Sequence, residues 1–341
     1  MSPFGAMSSG LAILTLTRRA TSRRAAKLAT LVAAVILASS CGRPASPPPT
    51  SITIATGSRG GVLHAVGRAL ATVYSEKLPA LAATAQPGRS LEGTLDALER
   101  GDRDLAFDDS ETTYVAYKKG TTADRRPHTA IRAIAVLFPT VVHIFARAGA
   151  IERVSDFRGK RVDVGPRGSD TEQVARLIFD SYGLDYRQLR VVFGSDSDPA
   201  EEIRNGKLDG VIYWTPFQHG AITRVTTADV RLIPIGREQI ARIQERTERS
   251  RFLKSTMIPR GTYPRQDHDI LTLGEDILLL CRKDLPEPLV YELTKALFDS
   301  VAVLMTAHPA ASGIDPERGP MTSIPLHPGA ARYYRERELP R

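Results

Sequence analysis

Little sulfur chemistry is open to this chain: cysteine occurs twice in 341 residues, at Cys41 and Cys281. Cys281 ends the apolar run 277–281, which reads as buried core and argues against a reactive thiol there. The seven histidines are scattered, with no His-x-x-x-His and no His/Cys cluster, so neither a metal site nor a cofactor is expected. Gly-x-Gly-x-x-Gly is missing and no Lys-Ser/Thr follows a glycine loop. The dinucleotide and P-loop signatures are therefore absent. Gly-x-Ser-x-Gly is missing too, and no nucleophile stands beside a candidate base, so the expectation is a protein without catalysis.

Basic residues outnumber acidic ones 46 to 38, a net +8. Five of the basic residues and none of the acidic ones lie before residue 42, which leaves +3 for the remainder. That excess is no argument for nucleic acid as a partner.

Those five, Arg18, Arg19, Arg23, Arg24 and Lys27, precede an uncharged apolar run at 28–38 and then Ser39-Ser40-Cys41. A basic region, an apolar run and small residues form the layout of a secretory signal. The run is shorter than the roughly 20 residues a transmembrane helix needs. A cysteine directly after small residues marks Cys41 as the acylated first residue of a lipoprotein, although Ala38 stands where leucine is preferred. Cleavage nearby with simple secretion is the alternative. Arg23-Arg24 lacks the bulky apolar follow-up of a twin-arginine signal, so the export route stays open between Sec and twin-arginine. Residues 42–50 hold four prolines and read as a flexible tether. A periplasmic or cell-surface location on a bacterial membrane follows, since several acyl chains hold firmly where one does not.

The body is organised around two strand–glycine loop–helix units. In the first, Ile52 to Ala55 suit a buried strand, Thr56-Gly57-Ser58-Arg59-Gly60-Gly61 breaks it, and Val62, Leu63, Val66 and Leu70 recur at helical spacing. In the second, Arg161 to Val164 lead into Gly165-Pro166-Arg167-Gly168-Ser169-Asp170-Thr171 and a helix face from Val174. A tight strand-to-helix turn is the ordinary explanation of one such loop. Two suggest α/β lobes facing each other across a cleft. Elsewhere strands and helices alternate, with strands expected at 84–86, 105–107, 191–193, 210–214, 233–235 and 271–281. Helices are expected at 91–100, 172–182, 200–205 and 289–304, and another ending at Tyr117. Two β-rich runs, 131–136 and 141–146, are separated by Phe138-Pro139, read as a hinge. This alternation argues for α/β sheets with helices on both faces.

Several short motifs then occur in order: Gly88-x-Ser90-x-Glu92, Asp156-Phe157-Arg158-Gly159-Lys160-Arg161-Val162, Gly261-Thr262-Tyr263-Pro264, Tyr291-Glu292-Leu293-Thr294 and Ile324-Pro325-Leu326-His327-Pro328-Gly329. With the first glycine loop and Gly67, they resemble the TAXI family, the extracytoplasmic solute receptors of tripartite ATP-independent periplasmic (TRAP) transporters. The resemblance covers residues 51–339. It implies a two-lobed α/β fold of the type II periplasmic binding proteins, with 51–139 and 236–341 as lobe I and 140–235 as lobe II. It further implies a small organic anion, glutamate-like or a dicarboxylate, in the cleft, and TRAP membrane permease subunits as partners. An ABC-type or sensor-associated binding protein of the same fold is the alternative, and a two-lobed enzyme a remoter one.

The candidate ligand contacts from lobe I are Thr56, Ser58, Gly60, Gly61, Arg89 and Ser90. From lobe II they are Arg167, Gly168, Ser169 and Thr171, at a helix N-terminus that favours negative charge. Arg89 and Arg167 offer forked carboxylate contacts, and Trp214 is a packing surface. The chain departs from the family after strand 105–107, where Asp108, Asp109 and Glu111 replace a usual glutamine. Those acids either cap the next helix or, through Asp109, read the ammonium of an amino acid. At the amino end, Cys41→Ser is expected to move the protein from the membrane to the soluble fraction on cell fractionation. Unchanged attachment would overturn the acylation of Cys41.

Overall fold

The computed structural model describes residues 50–338 apart from 58, 60, 89–90, 195–196 and 247–248. The signal, Cys41 and the tether up to residue 49 lie outside the described residues. The first half runs β1 (Thr50–Thr56), α1 (Val62–Lys77), β2 (Leu81–Pro87), α2 (Leu91–Glu99), β3 (Leu105–Asp109), α3 (Ser110–Lys119) and β4 (Ile131–Arg147). There follow β5 (Arg161–Asp163), α4 (Asp170–Ser181), β6 (Arg190–Val192), α5 (Pro199–Arg204), β7 (Gly210–Thr215), α6 (Gly220–Val225) and β8 (Val230–Leu232). The chain closes with α7 (Arg237–Arg246), β9 (Lys254–Ile258), β10 (Ile270–Arg282), α8 (Glu287–Phe298), α9 (Val301–Ala307) and α10 (Pro328–Glu338).

All ten strands share one sheet, with spine order β2-β1-β3-β10-β4-β7-β5-β6. β8 pairs with β4, and β9 with β10. At one end β1, β2 and β3 are parallel, and at the other β5, β6 and β7 are parallel. Helices cover both faces, as expected of parallel strands joined by crossovers. Side-chain alternation along the two central strands separates four cores. In the first half, Leu279 and Leu137 face one core, and Leu278, Leu280 and Val136 the other. In the second half, Val142, Ile144 and Ile212 face one side, and Phe145 and Val211 the other.

β4 and β10 belong to both halves at once. β4 leaves the first cores after Phe138 and enters the second at Val142; β10 leaves the second at Leu273 and enters the first at Ile277. Residues 240–273 supply Ile240, Ile243, Leu253 and Leu273 to the second half.

Several expectations need correction. The runs 131–136 and 141–146 are one strand of 17 residues. Pro139 is accommodated within it, opposite Asp276, where the β10 register shifts; proline gives no ladder hydrogen bond, so the pairing bends around it. The expected strand at 233–235 lies earlier, at Val230–Leu232. The helix expected at 289–304 is two helices broken at Asp299-Ser300. Cys281 is fully buried, and burial pushes its thiol well up.

Gly67 sits in α1 where a Cβ would come within 2.4 Å of the Thr56 methyl and 3.1 Å of the Phe107 ring. Gly67→Ala is therefore expected to destabilise by about 1–3 kcal/mol, the usual range for overpacking a filled core. Urea unfolding checks this, and an unchanged midpoint would show that the helix can retreat from β1.

Candidate ligand site at the strand ends

Parallel strands in an open α/β sheet present their carboxyl ends and the following helix N-termini to one side, and ligands bind there. In the first half those ends are Thr56, Pro87 and Asp109; in the second they are Asp163, Val192 and Thr215. The register brings both sets to the crossing strands: Asp109 lies opposite Ile277 in β10, and Thr215 opposite Val141 in β4.

The first glycine loop ends at Gly61, the N-cap position of α1. Thr56 is buried, and its hydroxyl is used within the protein, reaching Gln86 O at 3.1 Å and His64 Nδ1 at 2.8 Å. Of the expected contacts, Ser58, Gly60, Arg89 and Ser90 lie outside the described residues.

The second loop is held from below by buried Asp163, which accepts from the N–H groups of Gly165 (2.8 Å) and Gly194 (3.1 Å). Gly168 takes φ +79°, a backbone that glycine adopts at no steric cost. Ser169 caps α4, its hydroxyl accepting from Glu172 N–H at 3.3 Å. Thr171 packs its side chain against Gly165. Arg167 is exposed and stacks its guanidinium 3.8 Å from the Phe193 ring centroid. Asp170 and Glu172 already place negative charge in the first turn of α4. Trp214 lies half-buried on β7 opposite Val142, against the second-half core.

Asp109 joins the two halves electrostatically. It caps α3, with one carboxylate oxygen accepting from Thr112 N–H at 2.6 Å and the other from the Thr112 hydroxyl at 3.1 Å. Asp108 accepts from the Asp109 N–H at 2.9 Å. Burial pushes the Asp109 carboxyl up to about 6; the Thr112 bonds oppose this, while Asp170 and Glu111 add to it. Asp170 heads α4 in the second half.

Sequence reasoning missed the partners on β10. Glu275 is buried and accepts from Glu111 N–H at 2.5 Å. Burial and then Asp109 push Glu275 well above the usual carboxylate range. Asp276, also buried, pairs with Lys254 from β9 and with Arg318 at 2.8 Å. Two adjacent acids inside the apolar run 270–282 were the available signal, since lone buried carboxylates need partners. Among the described residues, no group of three His, Cys, Asp or Glu is placed to hold a metal ion.

A profile of the NMT1-like family matches residues 54–337. The chain belongs to the NMT1-like family. Its fold is that of the two-lobed periplasmic binding proteins. A TctC solute-binding protein from Polaromonas superposes with TM-score 0.53 at 18% identity, over 86% of this chain and all of that one. Lower similarity is found to the aliphatic sulphonate binding protein SsuA from Escherichia coli (TM-score 0.45, 14% identity, 86% of this chain, 84% of that one). The same holds for a probable amino-acid ABC transporter extracellular-binding protein from Bacillus subtilis (TM-score 0.49, 14% identity, 78% and 98%).

The carboxyl pair sets a pH dependence for this NMT1-like protein. A raised carboxyl holds in the folded state a proton that the unfolded chain releases. Its contribution to stability is complete below the ordinary 3.8 and is lost as pH rises through about 6. In Glu275→Gln the amide can still accept from Glu111 but does not titrate. The variant should therefore lose less stability than the parent across that window. Urea unfolding at a series of pH values checks this, and parallel slopes would remove Glu275 from the account.

Proposed function

We propose that this protein is an extracytoplasmic solute receptor that closes two lobes on a small organic anion, an amino-acid carboxylate included, and delivers it to a membrane permease. The observation that carries the reading is the meeting of both sets of strand ends at β4 and β10, in a chain of the NMT1-like family. Lobe I is residues 50–139 with 275–338, and lobe II is 140–274, the boundaries at which each crossing strand changes core. Only a closed form touches ligand from both lobes, so ligand shifts the equilibrium toward closure. No catalytic step is assigned.

The acids at the mouth leave room for an anion because each is matched within the protein. Asp109 is taken up by Thr112, and Asp276 by Lys254 and Arg318. The N-terminus of α4 favours negative charge, the arrangement by which helix N-termini hold carboxylates. The motifs shared with TAXI receptors favour TRAP permease subunits as the partner. Acylation at Cys41 would keep the receptor at the membrane.

A thermal-shift screen tests the class. Stabilisation by succinate, 2-oxoglutarate, glutamate or a sulfonate is expected, and by arginine or putrescine it is not. Stabilisation by cations alone would overturn the reading. With a ligand in hand, Ser169→Val should weaken binding by about 1–3 kcal/mol, the value of a lost polar partner. Calorimetry on the folded variant reads this. A TRAP or an ABC permease captured with the closed receptor assigns the partner.

A further inference from the structure

An open groove of about 670 Å³ runs between the outer face of α1 and β2. Every residue lining it comes from 59–87, so it belongs to one lobe alone. β2 is the outermost strand, separated from β10 by β1 and β3. Three strand spacings amount to about 15 Å, so the groove lies to the side of the crossing, and it meets the strand ends of the first half at Pro87 and at Arg59 of the glycine loop.

Three basic side chains line it: Arg59 from the first glycine loop, and His64 and Arg68 one turn apart on α1. Glu76, three turns along the helix from His64, is the one acid among the lining residues. The imidazole is held in place from beneath. Its Nδ1 lies 2.8 Å from the Thr56 hydroxyl, which also reaches Gln86 O at 3.1 Å. Thr56 in turn is wedged against Gly67, where no Cβ would fit. Nε2 is thus the ring nitrogen left for the groove: an N–H donor in one tautomer, and the atom that gains a proton in the imidazolium. Burial first, and then Arg68 and Arg59, hold His64 below its ordinary value. The two guanidinium groups therefore act on the same ring.

The edge of β2 does not suit a peptide strand. Thr50 N–H bonds to Ala80 O and Gly88 N–H to Thr56 O, so the even-numbered residues of β2 face β1. Of the outward-facing residues, Leu81 donates to Leu78 O, Ala83 donates to the Ser75 hydroxyl at 2.9 Å, and Pro87 has no N–H. Strand addition needs a repeating row of free backbone groups, and among the described residues Leu81, Ala83 and Pro87 offer no free N–H to such a row. Three basic groups in one groove fit a compact anion.

We propose that this groove binds a small oxyanion of two or more charges, phosphate or a polycarboxylate, on Arg59, His64 and Arg68, as a site apart from the interlobe cleft. Two arginines and an imidazolium match such an ion in charge and in donor geometry. Binding would raise the proton affinity of His64, because the anion offsets the guanidinium charges that oppose its protonation.

The test follows the His64 side-chain resonances by NMR in the mature protein, titrated separately with sodium phosphate, sodium citrate, and sodium chloride at matched ionic strength. Phosphate, citrate or both should move the His64 titration to higher pH at concentrations where chloride does not. Whichever ion acts names the headgroup. Arg68→Gln and Arg59→Gln are exposed substitutions that leave the core intact, and each should raise the half-saturating concentration about tenfold, a loss of ~1.4 kcal/mol. A response no larger than that of chloride overturns the proposal. So does a response of unchanged midpoint in both variants, the result a ligand bound only in the interlobe cleft would give.

Discussion

Two strands carry the whole connection between the halves at the level of the sheet, and two adjacent carboxylates sit on one of them. Glu275 and Asp276 lie where β10 passes from one pair of cores to the other. A charge in that position is costly unless matched, and the surrounding structure is arranged to match it. Asp276 draws Lys254 from β9, which lies with the second half, and Arg318 from the segment before α10, which lies with the first. Glu275 instead accepts from the first turn of α3. One of the two acids is thus met by charge from both sides, the other by a backbone N–H. These contacts lie where β10 passes from one pair of cores to the other.

That arrangement changes how the acidic loop is understood. From the chain alone, Asp108, Asp109 and Glu111 look like a wall of charge that selects an ammonium. Folded, Asp109 uses both oxygens on Thr112, and Asp108 accepts from the next backbone N–H. Their role as helix cap and strand end was one of the two readings open at the start. Burial holds Glu275, beside them on β10, well above the usual carboxylate range, which favours its neutral form.

The glycine loops show how much of a site local sequence can announce. Ser169 caps its helix, and Gly168 takes the left-handed backbone because nothing else does so at low cost. Both features are written within a few residues. Thr56 is different: the sequence offers it as a candidate ligand contact, and its hydroxyl reaches Gln86 and His64, thirty and eight residues away. Arg167 likewise has a partner, Phe193, on a loop of its own lobe. A side chain's free valence depends on neighbours that no window of sequence contains.

By itself the sequence determined the alternation of strands and helices, the placement of the two glycine loops and the burial of Cys281, because periodicity, glycine and unbroken apolar runs act over short distances. It also carried the family resemblance. Only the tertiary structure decided that 131–147 is a single strand through Pro139, and that residues 240–273 pack with the second half. It alone brought Glu275 of β10 to the first turn of α3, 164 residues away in the chain. Those outcomes depend on strands up to 176 residues apart pairing at a fixed register, as Cys281 does with Leu105. The energies that set such a register, the filling of four cores and the neutralising of buried acids, exist only once the chain has closed.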